Sequence, residues 1–190
     1  MKKIGIKILS IVFIMMSVSS VYGAEPVLQV MSGQTVIEDM CHPNMSEIEE
    51  AEIFLSENHV DVPAEIEAEC EAYGKMYNIA PELLEAIIWK ESRFKPEVVS
   101  ATGTCKGLMQ INTGSHSKRM ARLGVTDIFD VSGNILVGTD YLAELLQEND
   151  VDVAIMLYNG DKRAYEDGYQ SSYVKKILNV SQALERKHYR

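Results

Sequence analysis

One carboxylate in this sequence stands where general-acid chemistry is expected. The segment opening at Pro81 places Ala80, Leu84, Ile87 and Ile88 on one helical stripe, and Glu91 is the next position on it. A carboxyl group packed against a core loses hydration, which disfavours its charged form and raises its pKa. Such a group keeps its proton near neutral pH and can protonate a leaving oxygen. Glu82, Glu85 and Lys90 fall off the stripe and are expected on the solvated surface. Position alone leaves a structural, paired glutamate as the alternative reading.

The residues that follow narrow the chemistry. Glu91-Ser92-Arg93-Phe94-Lys95-Pro96 leads to Ser100 and Gly103, then to Gly107-Leu108-Met109-Gln110-Ile111-Asn112. Further along stand Asn134-Ile135 with Gly138, Tyr141 and Leu142, and then Tyr158-Asn159-Gly160. This series resembles the catalytic core of the soluble lytic transglycosylases, which are goose-type-lysozyme-like. That family shows E-S-x-F-x-P, a serine nine residues after the glutamate, G-L-M-Q, N-I-x-x-G-x-x-Y-L and A-Y-N in the same order. The resemblance spans about residues 65–185 and implies a mainly α, compact lysozyme-like domain with a substrate groove, acting on peptidoglycan glycan strands without a metal or cofactor.

Glycosidic cleavage needs one protonated acid as oxocarbenium-like charge develops on the sugar. Glu91 is expected to be that acid. The second carboxylate of most glycosidases can be replaced by the 2-acetamido oxygen of the substrate. The resemblance then implies that Glu91, now a base, takes the C6 hydroxyl proton of N-acetylmuramic acid and closes a 1,6-anhydro ring without water. Ser100 is expected to donate to Glu91 or to the acetamide. Gln110 is expected to offer a donor and an acceptor to the sugar, and Met109 a pliable apolar wall. Tyr158 is expected to reach Glu91 or the acetamide through its hydroxyl, Asn159 to fix nearby backbone, and Asn112 to be a further sugar contact.

Two readings compete with this one. A goose-lysozyme-like muramidase needs an additional carboxylate to activate water, for which Asp127, Asp130, Asp140 and Asp161 are candidates. A non-catalytic wall-binding or assembly protein would keep the groove but has no need of Glu91, Ser100, Gln110 and Tyr158 together.

The sequence departs from the family pattern beside the acid. The loop between Ser100 and Gly107 is one residue longer than the usual spacing and contains Cys105. A Cys70–Cys105 disulfide would anchor that loop, and bridges closing about 34 residues contribute a few kcal/mol. Cys41 is then left over, and the three cysteines have no zinc-site spacing. After Asn159 the chain reads Gly160-Asp161 where the family often has A-G.

The elements that must position these groups read as helices. Prolines at 63 and 81 suit first helical positions, and candidate helices cover 63–77, 81–92, 115–123, 133–148, 151–159 and 171–187. A Ser46/Glu49 capping pattern opens a short acidic helix to about Ser56, expected to dock on the domain. Tyr173, Val174, Ile177, Leu178 and Leu184 form a core-facing stripe in the last helix. No stretch alternates long enough for a substantial sheet.

Residues 1–23 have a secretory layout, with Lys2, Lys3 and Lys7 before an apolar run from Ile8 to Val18. Export is therefore expected, to the periplasm, the wall or beyond, with 24–60 forming a tether and the acidic helix and 61–190 the catalytic domain. Of 18 basic residues the leader removes three, leaving 15 against 28 acidic ones. That balance argues against nucleic acid and against electrostatic capture of an anionic wall polymer, so groove shape and hydrogen bonds must hold the substrate. A monomer is expected, with docking to a cell-envelope, secretion, conjugation or phage assembly as the partner role for the acidic helix.

Overall fold

A computed structural model describes residues 43–166, 169 and 171–188. The leader at 1–23, the tether up to residue 42 and Cys41 lie outside the described residues. Among those described there are seven helices and one short hairpin. No helix among them is long and apolar enough to cross a membrane.

Helix α1, Met45–Glu57, begins two residues earlier than the Ser46 cap would have it. Asn44 Oδ1 accepts from the Glu47 amide at 3.1 Å, while the Asn44 amide donates to Glu47 Oε2 at 2.9 Å. Two overlapping capping patterns compete here. The earlier one prevails because Asn44 and Glu47 satisfy each other's orphan groups, and Ser46 only donates to Asn44 Oδ1 at 2.7 Å. Ile48, Ala51 and Leu55 on α1 are buried, and the helix packs on the last one, α7, Ser172–His188.

Helices α2, Ala64–Tyr77, and α3, Pro81–Ser92, follow, with Pro63 at the N-cap of α2 and Pro81 inside the first turn of α3. Both α2 and α7 pack on α3, so every residue from Leu83 to Trp89 is buried. The single-stripe reading of α3 therefore needs correcting. Glu85, expected in solvent, is fully enclosed, because the helix is covered on two sides rather than one; Ala80, placed on the stripe, is exposed.

Beyond α3 a hairpin pairs β1, Cys105–Lys106, antiparallel with β2, Ile111–Asn112. Then come α4, Ser117–Leu123, α5, Val131–Leu146, α6, Val151–Tyr158, and α7. Asp130 caps α5 by accepting from the Gly133 amide at 2.7 Å. Ile87, Ile88, Leu108, Met109, Ile135, Leu142, Ile155 and Ile177 join these elements in one core. Each such side chain contributes about 1.5–3 kcal/mol by leaving water. Gly138 on α5 is fitted to Met109: a Cβ there would lie 2.3 Å from the methionine sulfur.

The expected Cys70–Cys105 bridge is absent, and both thiols are free. Cys70 is sealed in the core, where burial and the nearby Glu85, Glu69 and Glu67 carboxylates push its thiol far up. Cys105 sits on the hairpin with its sulfur 3.8 Å from Thr104 Oγ1. Hydrogen bonds hold the lengthened loop instead. Ser100 and Cys105 exchange backbone and side-chain contacts at 2.9 and 3.0 Å, Gly103 donates to Ser100 at 2.8 Å, and Thr102 meets Thr104 at 2.8 Å.

Candidate active site

Glu91 lies one residue before the end of α3, where the chain leaves the helix abruptly. Ser92 Oγ donates to the Ile88 carbonyl at 3.2 Å, and Arg93 and Phe94 both adopt left-handed backbone, φ 55° and 60°. Non-glycine residues in that region cost of order 1–3 kcal/mol each, so surrounding contacts must hold them. One such contact is the Arg93 guanidinium, 3.8 Å from the centre of the Trp89 ring. The turn ends the helix one residue after Glu91, whose carboxyl stays half-buried.

The half-buried Glu91 carboxyl accepts, at Oε1, a hydrogen bond from the Tyr173 hydroxyl. Burial raises its pKa, and the Tyr173 bond and the Lys90 charge draw it back in part. The Lys90 ammonium stands 5.2 Å from the Tyr173 ring centre. Tyr173 itself stays protonated, its pKa pushed up by burial and by the Glu91 charge. This tyrosine was expected only as part of the core stripe of the last helix. The available signal was a phenol heading a stripe that is otherwise aliphatic, since a buried hydroxyl needs a partner.

Tyr158, at the end of α6, lies within the electrostatic reach of Glu91 and is likewise held protonated by burial. Its hydroxyl donates to the Met109 carbonyl at 2.9 Å, not to the carboxylate. The Tyr158 ring is 5.3 Å from that of Tyr141, which is 4.5 Å from the imidazole of His116, so the three rings form an aromatic row. Burial and the Arg119 charge lower the His116 pKa. Arg119 in turn sits 5.0 Å over the Tyr141 ring and pairs with Asp140 and Glu144.

The other expected site residues have local work of their own. Ser100 accepts from the Cys105 amide and lies 3.3 Å from Thr102 Oγ1, and it shares no hydrogen bond with Glu91. Met109 is 0% exposed with its side chain against Gly138, so it cannot form the expected sugar-facing wall. Gln110 has left-handed backbone, φ 48°, and its side-chain amide donates to the carbonyls of Gly107 and Val98 at 2.9 and 3.1 Å. Only its oxygen remains for a sugar. Asn112 Oδ1 accepts from the Ser115 amide at 3.2 Å, and Asn159 ends α6, its own amide donating to the Ile155 carbonyl. These contacts build the loop and helix ends, and none of them reaches the Glu91 carboxyl, whose partner is Tyr173.

Comparison with known proteins identifies the family of the chain. Residues 69–180 match the transglycosylase SLT domain. The chain is 36% identical over 116 residues to the X polypeptide of Escherichia coli, covering 56% of this chain and 68% of that protein. It is 32% identical over 110 residues to the invasion protein IagB of Salmonella typhimurium, covering 54% and 68%. It is 42% identical over 64 residues to the membrane-bound lytic murein transglycosylase F of Desulfosudis oleivorans, of which it covers 13%. An inactive mutant of the lytic transglycosylase Slt from Pseudomonas aeruginosa has a similar fold, with a TM-score of 0.53 at 19% identity over 63% of this chain and 24% of that one.

Proposed function

The chain belongs to the transglycosylase SLT domain family and is a lytic transglycosylase, and from that premise we propose that Glu91 cleaves the MurNAc–GlcNAc β-1,4 bond of peptidoglycan without water. The observation that carries the reading is the Glu91 carboxyl itself, half-buried, raised in pKa and held at Oε1 by Tyr173. The tyrosine fixes one oxygen and leaves Oε2 to carry the proton toward a glycosidic oxygen. Protonation of that oxygen releases the GlcNAc hydroxyl as the 2-acetamido oxygen bonds to the muramic C1. The Glu91 carboxylate then removes the C6 hydroxyl proton while O6 displaces the acetamide. The product is a 1,6-anhydro ring, and the acid regains its proton.

The muramidase alternative asks for a free carboxylate beside the sugar. Its four candidates are otherwise engaged. Asp127 accepts from the Phe129 amide, Asp130 caps α5, Asp140 pairs with Arg119 and Arg122, and Asp161 pairs with Arg163 and Tyr169. We further propose that the protein works outside the cytoplasmic membrane, where glycan strands are. Residues 61–190 would carry the activity, and α1 would face any envelope partner. Digestion of purified peptidoglycan tests the reaction: soluble muropeptides ending in anhydro-muramic acid are expected, whereas reducing ends would assign a hydrolase and no release a binding protein.

A further inference from the structure

Asn134 belongs to none of the groups assigned above, yet both ends of its side-chain amide are engaged, one of them by the Met109 amide. It is 1% exposed. Its Oδ1 accepts from the Met109 amide at 2.8 Å, and its Nδ2 donates to the Ile128 carbonyl at 2.7 Å and the Lys106 carbonyl at 3.1 Å. One amide thus ties α5 to β1, to the Met109 turn and to the segment before α5. Its orientation is unambiguous, since the flipped group would set an oxygen against two carbonyls and an NH2 against an N–H. Gly107 makes room for it: a Cβ at Gly107 would lie 2.0 Å from Asn134 Nδ2.

The Met109 peptide is therefore pinned from both ends. Asn134 holds its neighbouring N–H, and the Tyr158 hydroxyl donates to its carbonyl at 2.9 Å. A phenol has a single proton to give. Given to Met109, that proton is withheld from Glu91, which takes one hydrogen bond from Tyr173. We infer that Asn134 is a positioning residue for the reaction: by fixing the Met109 peptide it keeps the Tyr158 proton turned away from Glu91, so that the acid is not overstabilised as its carboxylate. A second phenol donating to the carboxylate would favour the charged form and weaken the acid. The inference rests on the reading of Glu91 as the acid.

The test follows the Glu91 carboxyl itself by carbon-13 NMR titration, its signal assigned by its loss in Glu91→Gln. In Asn134→Ala the titration midpoint falls by about one pH unit, because freed Tyr158 donates to Glu91. In Asn134→Ala/Tyr158→Phe the fall disappears. Asn134→Asp retains the acceptor for the Met109 amide and shows no such fall, although it loses at least one donor and lowers stability. Asn134→Ser carries the same expectation as the alanine variant and replaces it if that one does not fold. An unmoved midpoint in Asn134→Ala or its serine substitute, a fall that persists without the Tyr158 hydroxyl, or an equal fall in Asn134→Asp overturns the inference. Because the readout is not activity, cleavage surviving in Glu91→Gln would sink the assignment of the acid while leaving the Asn134 result separately readable.

Discussion

The Tyr173 hydroxyl donates to Oε1 of Glu91 across 82 residues of sequence, joining the first turn of the last helix to the end of the central one. It is the direct hydrogen bond from a side chain to the proposed acid among the described residues. It works against burial, which raises the Glu91 pKa, by favouring the ionised form.

Removing that donor moves the acid in a calculable direction. In Tyr173→Phe the Glu91 pKa rises further, so the alkaline limb of the kcat/KM profile shifts to higher pH, opposite in sign to the Asn134→Ala effect. The rate below the limb falls about tenfold because the carboxyl loses its fixed orientation. A pH–rate profile with the limb unmoved would show that the bond has no bearing on the acid.

Glu91→Gln keeps the size and removes the proton. Loss of a general acid costs about 10²–10⁴ in rate, and relief of a partly desolvated carboxyl leaves the melting temperature equal or higher. Turnover assays and thermal melts together separate a lost acid from a lost fold.

Glu85 gives the structure a pH signature unrelated to catalysis. Both its oxygens are buried without a hydrogen-bond partner, and burial followed by Glu82, Glu67 and Glu71 raises its pKa to about 8 against an ordinary 4.5. A carboxyl with a raised native pKa contributes its full share of stability below the unfolded value. That share shrinks as pH climbs from about 4.5 and is gone once the pH has passed about 8. Melting temperature should therefore decline across this interval. Glu85→Met, which removes the buried charge and fills similar space, should flatten the decline and raise the melting temperature near pH 8 by at least about 2–4 °C, the equivalent of about 1 kcal/mol. Parallel melting curves for the two proteins would contradict this.

The free thiols are separable by access. Cys105 is half-buried and Cys70 fully buried, so a thiol reagent should label Cys105 in the folded protein and Cys70 only after denaturation. Peptide mapping that finds these two cysteines bridged would restore the disulfide expected from the loop length.

Much of the helical framework was readable because its signals are local. Prolines near helix starts, the apolar periods of α5 and α7, and the position of Glu91 in the last turn of α3 all appear where sequence spacing places them. What was hidden depends on partners distant in sequence. Glu85 reads as surface until α2 and α7 cover both sides of α3, and the Tyr173 contact crosses too many residues for periodicity to find. Met109 and Gln110 show a different limit. Their motif is plain, yet it does not say that the methionine side chain is sealed beneath Gly138 while its carbonyl accepts a hydrogen bond from Tyr158, or that the glutamine gives its N–H groups to the loop. Loop support by hydrogen bonds rather than a disulfide was equally unreadable, since it arises from Ser100, Thr102 and Thr104 meeting across a turn.

In the proposed reaction Glu91 gives its proton to the leaving oxygen and takes one from the C6 hydroxyl, and no water enters the bond. Digesting peptidoglycan in water enriched in heavy oxygen, then weighing the released muropeptides, reads this directly. Muramic ends that carry no heavy oxygen and lack the mass of one water, with no such release by Glu91→Gln, are the predicted result. Reducing muramic ends that have each gained one heavy oxygen atom would contradict it.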